Sequence, residues 1–243
     1  MIYSTKGIVL RTVKYSETSV IAGIFTEMFG IQSYMVNGVR TQGKTSKAHF
    51  FQSSSILDLE VYHNDLKNLQ RIKEIRWSCL YRNILSDVTK NTVALYMVEL
   101  LQKCLKQPEA NADLFHFCED AFLELDVASD EVTANFPIYF ALQLTQFFGF
   151  SLHDNHSEKR NHFSLHEGNF TDEVLANDHL VEATISYHIS QLLKALRPGD
   201  LREIRLNKKI RKEILSVLER YYIFHIPEFG SMKTLPVLHA LLG

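Results

Sequence analysis

The first third of the chain alternates between short apolar runs and turn residues, a pattern typical of a β-rich domain. In the clearest run, Leu57, Leu59 and Val61 alternate with Asp58 and Glu60. A strand places successive side chains on opposite faces, so one face of this strand is apolar and the other carries carboxylates. Five such runs predict strands near residues 5–14, 19–26, 31–37, 55–62 and 69–76. Five strands with a long connection after the third predict a small β-barrel of the OB-fold type.

The apolar spacing changes from two residues to about 3.6 past Trp77, which predicts a mainly helical second part. One continuous stripe predicts a helix over residues 88–106, and further stripes lie in residues 114–125, 136–147, 185–196 and 210–221. Asn207 is the predicted N-cap of the last of these helices. The sequence therefore predicts an α+β protein with an OB-fold barrel over residues 1–78 and a helical domain over residues 79–243.

Positive charge is concentrated in the predicted barrel and in the connection after its third strand. Residues 1–56 contain six Lys or Arg side chains against Glu17 and Glu27. The candidate polyanion-binding residues are Arg11, Lys14, Arg40, Lys44 and Lys47. The last three lie in the connection, which has two glycines and many hydroxyl or amide donors. A basic loop on such a barrel favours nucleic-acid binding, while a solvated surface loop is the alternative.

The opening of the chain also resembles the RecO family, bacterial recombination mediators that act in DNA repair. The resemblance rests on four motifs in the family's order and spacing. They are the strand Gly7–Arg11, the turn Tyr15–Glu17, the turn Phe25–Gly30 and the loop entry Gly38–Arg40. The segment from His225 to Leu235 resembles the end of the family, so the likeness extends over nearly the whole chain.

This resemblance implies a protein that binds single- and double-stranded DNA and anneals complementary strands. It implies three protein partners: RecR, the acidic C-terminal tail of single-stranded-DNA-binding protein, and, indirectly, RecA, which it would help to load on coated strands. It also implies a cytoplasmic, nucleoid-associated protein. The alternative from another class is a non-catalytic helical scaffold whose affinity for DNA is incidental.

The segment at about 149–172 contains four histidines, His153, His156, His162 and His166. Structural zinc sites are usually rich in thiolates, and this segment has no cysteine. Many RecO sequences have a four-cysteine zinc module at this point, so we interpret the segment as a metal-free, degenerate version of it. The sequence therefore predicts no bound metal and no cofactor, and a solvated loop whose histidines titrate near neutrality.

Charge is distributed unevenly in the helical part. Residues 107–158 contain no Lys or Arg but several Asp and Glu, a surface that either faces solvent or docks a basic partner. Residues 194–212 are basic instead, although cations at a helix N-terminus are unfavourable. An acidic tail peptide needs an apolar slot rimmed with cations, so the candidate peptide-binding residues are Arg197, Arg202, Arg205, Lys208, Lys209 and Arg211, beside Leu192, Leu193 and Leu196. The alternatives are a site for a second strand of DNA and a solvated basic face.

No motif of a catalytic site stands in the sequence. It lacks a Gly-x-Ser-x-Gly motif, a Gly-rich phosphate loop and a His-Glu-x-x-His motif. It also lacks an apolar run of the roughly 20 residues that a membrane span needs, and the start of the chain does not have the apolar region of a secretory signal. We therefore expect a binding protein rather than an enzyme, and no membrane partner.

Overall fold

The computed structural model describes residues 1–39, 47–172 and 179–242. They form two compact units, one made of Met1–Arg82 and Leu105–Leu123, the other of Asn83–Cys104 and Glu124–Gly243. The boundary near residue 78 that the apolar spacing predicts is a single cut along the chain. The first unit also contains residues 105–123 together with the N-terminal strands.

The first unit contains a closed five-stranded barrel, as the alternating pattern predicts. Its strands are β1 (Ile2–Lys14), β2 (Val20–Thr26), β3 (Gly30–Val36), β4 (Ile56–Tyr62) and β5 (Leu69–Trp77). The strand order is β1-β2-β3-β5-β4. Strands β3 and β5 pair in parallel over three residues each, whereas the other neighbours are antiparallel. The predicted α+β fold, an OB-like barrel followed by helices, is confirmed.

The barrel interior is filled by the inward residues of every strand. Four of them are fully buried, namely Val9, Ile24, Tyr34 and Leu57. Their burial contributes to the hydrophobic stabilisation of the unit. Gly7 lies where β1 crosses this core. A Cβ atom there would come within 2.6 Å of the Ile24 side chain, so only glycine fits.

A short 3-10 helix, Ala48–Phe51, closes one end of the barrel. Phe51 is buried in the core. The Thr12 hydroxyl donates a hydrogen bond of 2.9 Å to the carbonyl of Phe51, and the Ser54 amide donates one of 2.8 Å to the carbonyl of Val9. These bonds fix the segment along the second half of β1, which carries two of the candidate DNA-binding residues.

The second unit is mainly helical. Its helices, with α2 shared between the units, are α1 (Val88–Cys104), α2 (Ala112–Val127), α3 (Asp130–Leu144), α4 (Ala183–Leu193), α5 (Lys208–His225) and α6 (Leu235–Leu241). The predicted apolar stripes form the core, and their members Leu101, Phe140, Ile189 and Leu218 are fully buried. Asn207 is the N-cap of α5, as predicted, because its side-chain oxygen accepts a hydrogen bond of 2.9 Å from the Ile210 amide. Among the described residues, no helix has the length and apolarity needed to cross a membrane.

The histidine-rich segment differs from the predicted loop, because it forms a two-stranded hairpin. The strands are β6 (His162–Ser164) and β7 (Asn169–Thr171). Phe163 and Phe170 lie opposite each other in the register, are 0% and 1% exposed, and have ring centroids 5.3 Å apart. Strands of three residues are too short to show an alternating pattern, so the sequence could not indicate them.

Candidate nucleic-acid interface

Two arginines lie on the outer face of the barrel wall formed by β1, β2, β3 and β5. The register aligns Arg11 with Gly23 and Ser33, and it aligns Val13 with Ile21, Met35 and Arg71. Residues two apart on a strand share a face, so Arg11 and Arg71 both point outward. The two strands are three positions apart, about 14 Å along the sheet. Gly23 leaves room for the Arg11 side chain, whose Cγ would lie 3.1 Å from a Cβ at that position.

Two lysines lie at the barrel end that the 3-10 helix closes. Lys14 is the last residue of β1, and Lys47 immediately precedes the helix; both are exposed. Lys47, Arg71 and Lys73 line one cavity of about 150 Å³. We call Arg11, Lys14, Lys47, Arg71 and Lys73 the basic surface. Glu17, in the turn after β1, reduces the net charge of its Lys14 end.

The structure therefore adds two residues to the predicted set and leaves two unplaced. Arg40 and Lys44 lie outside the described residues. Arg71 and Lys73 were missed by the sequence reasoning, because a strand with mixed charges gives no sign of which wall it joins. The parallel pairing of β5 with β3 brings them beside Lys47, and only the register shows this.

The part of the barrel wall centred on β4 carries more carboxylates than cations. Asp58 pairs with Lys6 and Arg76 across the strands, and Glu60 pairs with Glu74. These side chains, with Glu27, line a cavity of about 340 Å³. We call Glu27, Asp58, Glu60, Glu74 and Glu119 the acidic surface. At its border Lys73 and Glu60 form an ion pair of 2.7 Å, which holds the pKa of Glu60 below and that of Lys73 above its ordinary value.

Lys6 lies within the acidic surface and is neutralised there. Its ammonium group lies 2.8 Å from the Glu119 carboxylate, which is 12% exposed. The hydrogen bond that Lys6 donates to the Glu119 carboxylate raises the pKa of Lys6 against the opposing effect of burial. His116 adjoins the same carboxylate and lies 3.3 Å from Glu27. Part of the predicted acidic stretch therefore binds a lysine of its own unit.

The candidate peptide-binding residues occupy the connection from α4 to α5 and the start of α5. Arg197, Arg202, Arg205, Lys208 and Lys209 are exposed, and Leu196, which precedes Arg197, is 78% exposed. Leu192, one of the three predicted apolar neighbours, is buried inside the unit. Arg211 differs from the other cations, because its guanidinium donates to Asn135, Leu206 and the Leu242 carbonyl. It ties helices together rather than pointing to solvent.

Polar and aromatic contacts hold the hairpin where the zinc module is expected from the resemblance. The Asn155 side chain donates to the Phe170 carbonyl at 3.0 Å and accepts from its amide at 2.7 Å. The Tyr221 hydroxyl donates to the Phe150 carbonyl at 2.8 Å, and burial raises the pKa of Tyr221 to about 12. The Phe163 amide donates to the Ser186 hydroxyl at 2.8 Å. These contacts connect the segment to neighbouring parts of its unit.

The four histidines of this segment point to different partners. One His162 ring nitrogen lies 3.0 Å from the Val181 carbonyl, and one His166 ring nitrogen lies 2.6 Å from Glu167. His156 packs edge-on against Phe170 and Tyr187, and His153 is exposed. Within residues 1–39, 47–172 and 179–242, no three His, Cys, Asp or Glu side chains are grouped to hold a metal ion.

Taken together, the fold and the charged wall define a class: an OB-like barrel with one basic surface, followed in sequence by a helical region. Family models give the same division. The model for the N-terminal part of recombination protein O matches residues 1–81, and the model for its C-terminal part matches residues 85–234.

Curated relatives match along the full length. The chain is 31% identical to the DNA repair protein RecO of Christiangramia forsetii, with 100% of both chains covered. It is 32% identical to that of Flavobacterium johnsoniae, with 98% of both covered, and 27% identical to that of Azobacteroides pseudotrichonymphae, with 99% of both covered. The chain belongs to the RecO family of DNA repair proteins.

Proposed function

We propose that this chain is a non-catalytic recombination mediator that binds single- and double-stranded DNA through the basic surface of its barrel. The observation that carries the proposal is the uneven distribution of charge over the barrel. Lys47, Arg71 and Lys73 line one cavity near the end that the 3-10 helix closes, whereas carboxylates outnumber cations in the cavity on β4 and the facing parts of β1 and β5. A polyanion is attracted to the first region and repelled by the second.

The basic surface binds phosphates and does not read bases. Lysines act as point charges without a sequence code, and the outward arginines stand on a convex wall rather than on an element shaped to enter a groove. Annealing then needs no chemistry, because cations screen the repulsion between two phosphate backbones while complementary bases pair. The proposal also includes Arg40 and Lys44 as phosphate-binding residues, although they lie outside the described residues.

The proposal includes the partners that the family resemblance implies. RecR and RecA would act with this chain on strands coated by single-stranded-DNA-binding protein, in the cytoplasm and at the nucleoid. The acidic tail of that protein would bind at the exposed cations Arg197, Arg202, Arg205, Lys208 and Lys209, beside exposed Leu196. Arg211 would stabilise this region through its contacts with neighbouring segments.

A salt series tests the DNA-binding proposal. Affinity for single- and double-stranded DNA is measured by gel shift from low to physiological salt. A phosphate-binding barrel loses affinity steeply, with a log-log slope of about −0.9 per duplex phosphate contacted and about −0.7 per single-strand phosphate. Little binding at physiological salt to either form would contradict the proposal and favour the interaction scaffold with incidental DNA affinity.

Charge reversal tests the peptide site. The double variant Arg202→Glu, Arg205→Glu is expected to weaken binding of the isolated acidic tail peptide by about 1 to 2 kcal/mol, since charge-assisted contacts contribute that much. DNA binding by the barrel stays nearly unchanged. Lys159→Glu reverses an exposed cation of the same unit outside the proposed site and serves as the control. Calorimetry showing the parent's peptide affinity in the double variant moves the site off this face, and equal losses for peptide and DNA show one shared surface.

A further inference from the structure

Three aromatic rings are grouped at the closed end of the barrel, beside the basic surface. The ring centroids of His49 and Phe50 are 4.3 Å apart, those of Phe50 and Trp77 are 5.0 Å apart, and those of His49 and Trp77 are 6.0 Å apart. Their planes are tilted by 35 to 37°. Phe50 and Trp77 pack partly against the barrel core, whereas His49 is exposed. We call these three residues the ring cluster.

The cavity lined by Lys47, Arg71 and Lys73 includes residues that are close in sequence to this cluster. Lys47 is two residues before His49, and Ile75 of the cavity is two residues before Trp77 on the same face of β5. The cavity exists because β3 and β5 pair only over Ser33–Met35 and Leu69–Arg71. Beyond that pairing the core-facing side chains Ile72 and Ile75 form part of its lining, while the three cations and Asn37 provide polar groups.

We propose that the ring cluster and this cavity form a base-stacking subsite for an unpaired DNA strand. The inference rests on the proposed function and deepens it, because it assigns the part of the surface that distinguishes single strands from duplex. Cations alone bind the phosphates of both forms. An exposed ring and an apolar cavity lining bind only base faces that are free, and in a duplex those faces are already stacked on their neighbours.

The exposed position of His49 separates this role from core packing. Phe50 and Trp77 help to cover the barrel end, and Phe51 fills its core, so their rings have a structural use. His49 is the exposed member of the group, and its ring extends the cluster toward solvent. A single strand that follows the cations past Lys47 would meet this ring first.

Tryptophan fluorescence tests the subsite in the unmodified protein, because Trp77 is the only tryptophan of the chain. A thymidine oligomer is expected to quench the emission as it binds. An abasic oligomer of the same length carries the same phosphates and is expected to bind without comparable quenching, as is a duplex. Equal quenching by the abasic and thymidine strands overturns the inference, and so does bound thymidine oligomer with unchanged emission.

Substitution of His49 tests the same subsite without touching the core. His49→Ala is expected to lose about five- to tenfold in single-strand affinity, the lower end of the range for one stacked base, with duplex affinity and the salt slope unchanged. His49→Phe keeps a ring without a charge and retains the parent's affinity. His153→Ala, an exposed histidine of the other unit, is the matched control.

The two hypotheses fail differently in this experiment. Single-strand affinity of His49→Ala equal to that of the parent overturns the stacking subsite and leaves DNA binding by the basic surface standing. Loss in His49→Phe as large as in His49→Ala shows that the imidazole acts by hydrogen bonding or charge, and it also overturns stacking. A parent protein that binds neither DNA form overturns the proposed function, and the inference with it.

Discussion

Polar groups serve different purposes in the barrel wall and in the hairpin of the helical unit. In the wall, charged side chains stand on a framework that a hydrophobic core holds together, and the exposed Lys73–Glu60 pair contributes little stability. In the hairpin, Asn155, Ser186 and Tyr221 belong to the framework themselves, because their buried or partly buried hydrogen bonds connect short segments of backbone. Exposed charges of the basic surface can therefore change with binding alone affected, whereas changes in the hairpin affect folding.

The hairpin lies where the family resemblance implies a metal module, and we predict that it folds without metal. A structural zinc ion links four ligands from separate turns, and its removal leaves those turns without support. In this chain a side-chain amide, two hydroxyls and the stacked rings of Phe150 and His225 connect the equivalent segment. Each bond is weaker than a metal ligand, but the set fixes the same kind of short, irregular backbone.

The largest effect is expected where the hairpin is tightest, at Gly168. Its backbone has a positive φ of +65°, and a Cβ atom there would lie 2.5 Å from the buried Tyr221 hydroxyl. Gly168→Ala is expected to destabilise the protein by about 2 to 4 kcal/mol, from the left-handed backbone plus overpacking against a rigid ring. Urea unfolding followed by circular dichroism measures the change.

Gly149→Ala is the matched control for this variant. Gly149 also has a positive φ, +78°, but no atom lies within 4 Å of the Cβ position. The control should lose only the backbone part, about 1 to 2 kcal/mol. If the two variants are equally stable, the packing of Tyr221 on Gly168 does not support the hairpin, and the contrast with the barrel wall is lost.

The same contrast explains which features the sequence could predict. The five strands and the main helices were predicted because a core-facing stripe repeats with the period of its element, as in Leu57, Leu59 and Val61. The hairpin was not, because its stability comes from single contacts such as that of Asn155 with Phe170, which have no period. Arg71 and Lys73 were missed for a related reason: their place beside Lys47 depends on a parallel pairing between distant strands.

A smaller effect, on binding alone, is expected from the barrel wall. Replacing Arg40, Lys44 and Lys47 together by Ala should weaken binding to all DNA sequences alike and lower the salt slope by about 2 to 3, since each lost phosphate contact contributes about 0.7 to 0.9. The free energy of unfolding should stay within about 0.5 kcal/mol of the parent, as for most surface substitutions. A triple variant that binds DNA like the parent would place the site elsewhere.

A comparison of two single variants, Lys47→Ala and Lys6→Ala, sharpens this test. Each removes one positive charge from the same barrel. Lys47→Ala should lower the salt slope and leave stability unchanged. Lys6→Ala should do the reverse: DNA binding persists, and stability falls by about 1 kcal/mol because the largely buried Glu119 carboxylate loses its partner. Equal losses of DNA affinity in the two variants would show that net charge, rather than its position on the wall, determines binding.

Removing metal ions is expected to have no effect on stability. The described imidazoles of the hairpin contact a carbonyl, a carboxylate or aromatic rings, and the backbone they belong to is held by other groups. Chelators should therefore leave the melting temperature unchanged, and elemental analysis of protein purified without a histidine tag should find no stoichiometric metal. Zinc that survives dialysis, with unfolding on chelation, would show that histidines have replaced the missing cysteines. The hairpin would then depend on a metal ion, and its protein contacts alone would not explain its fold.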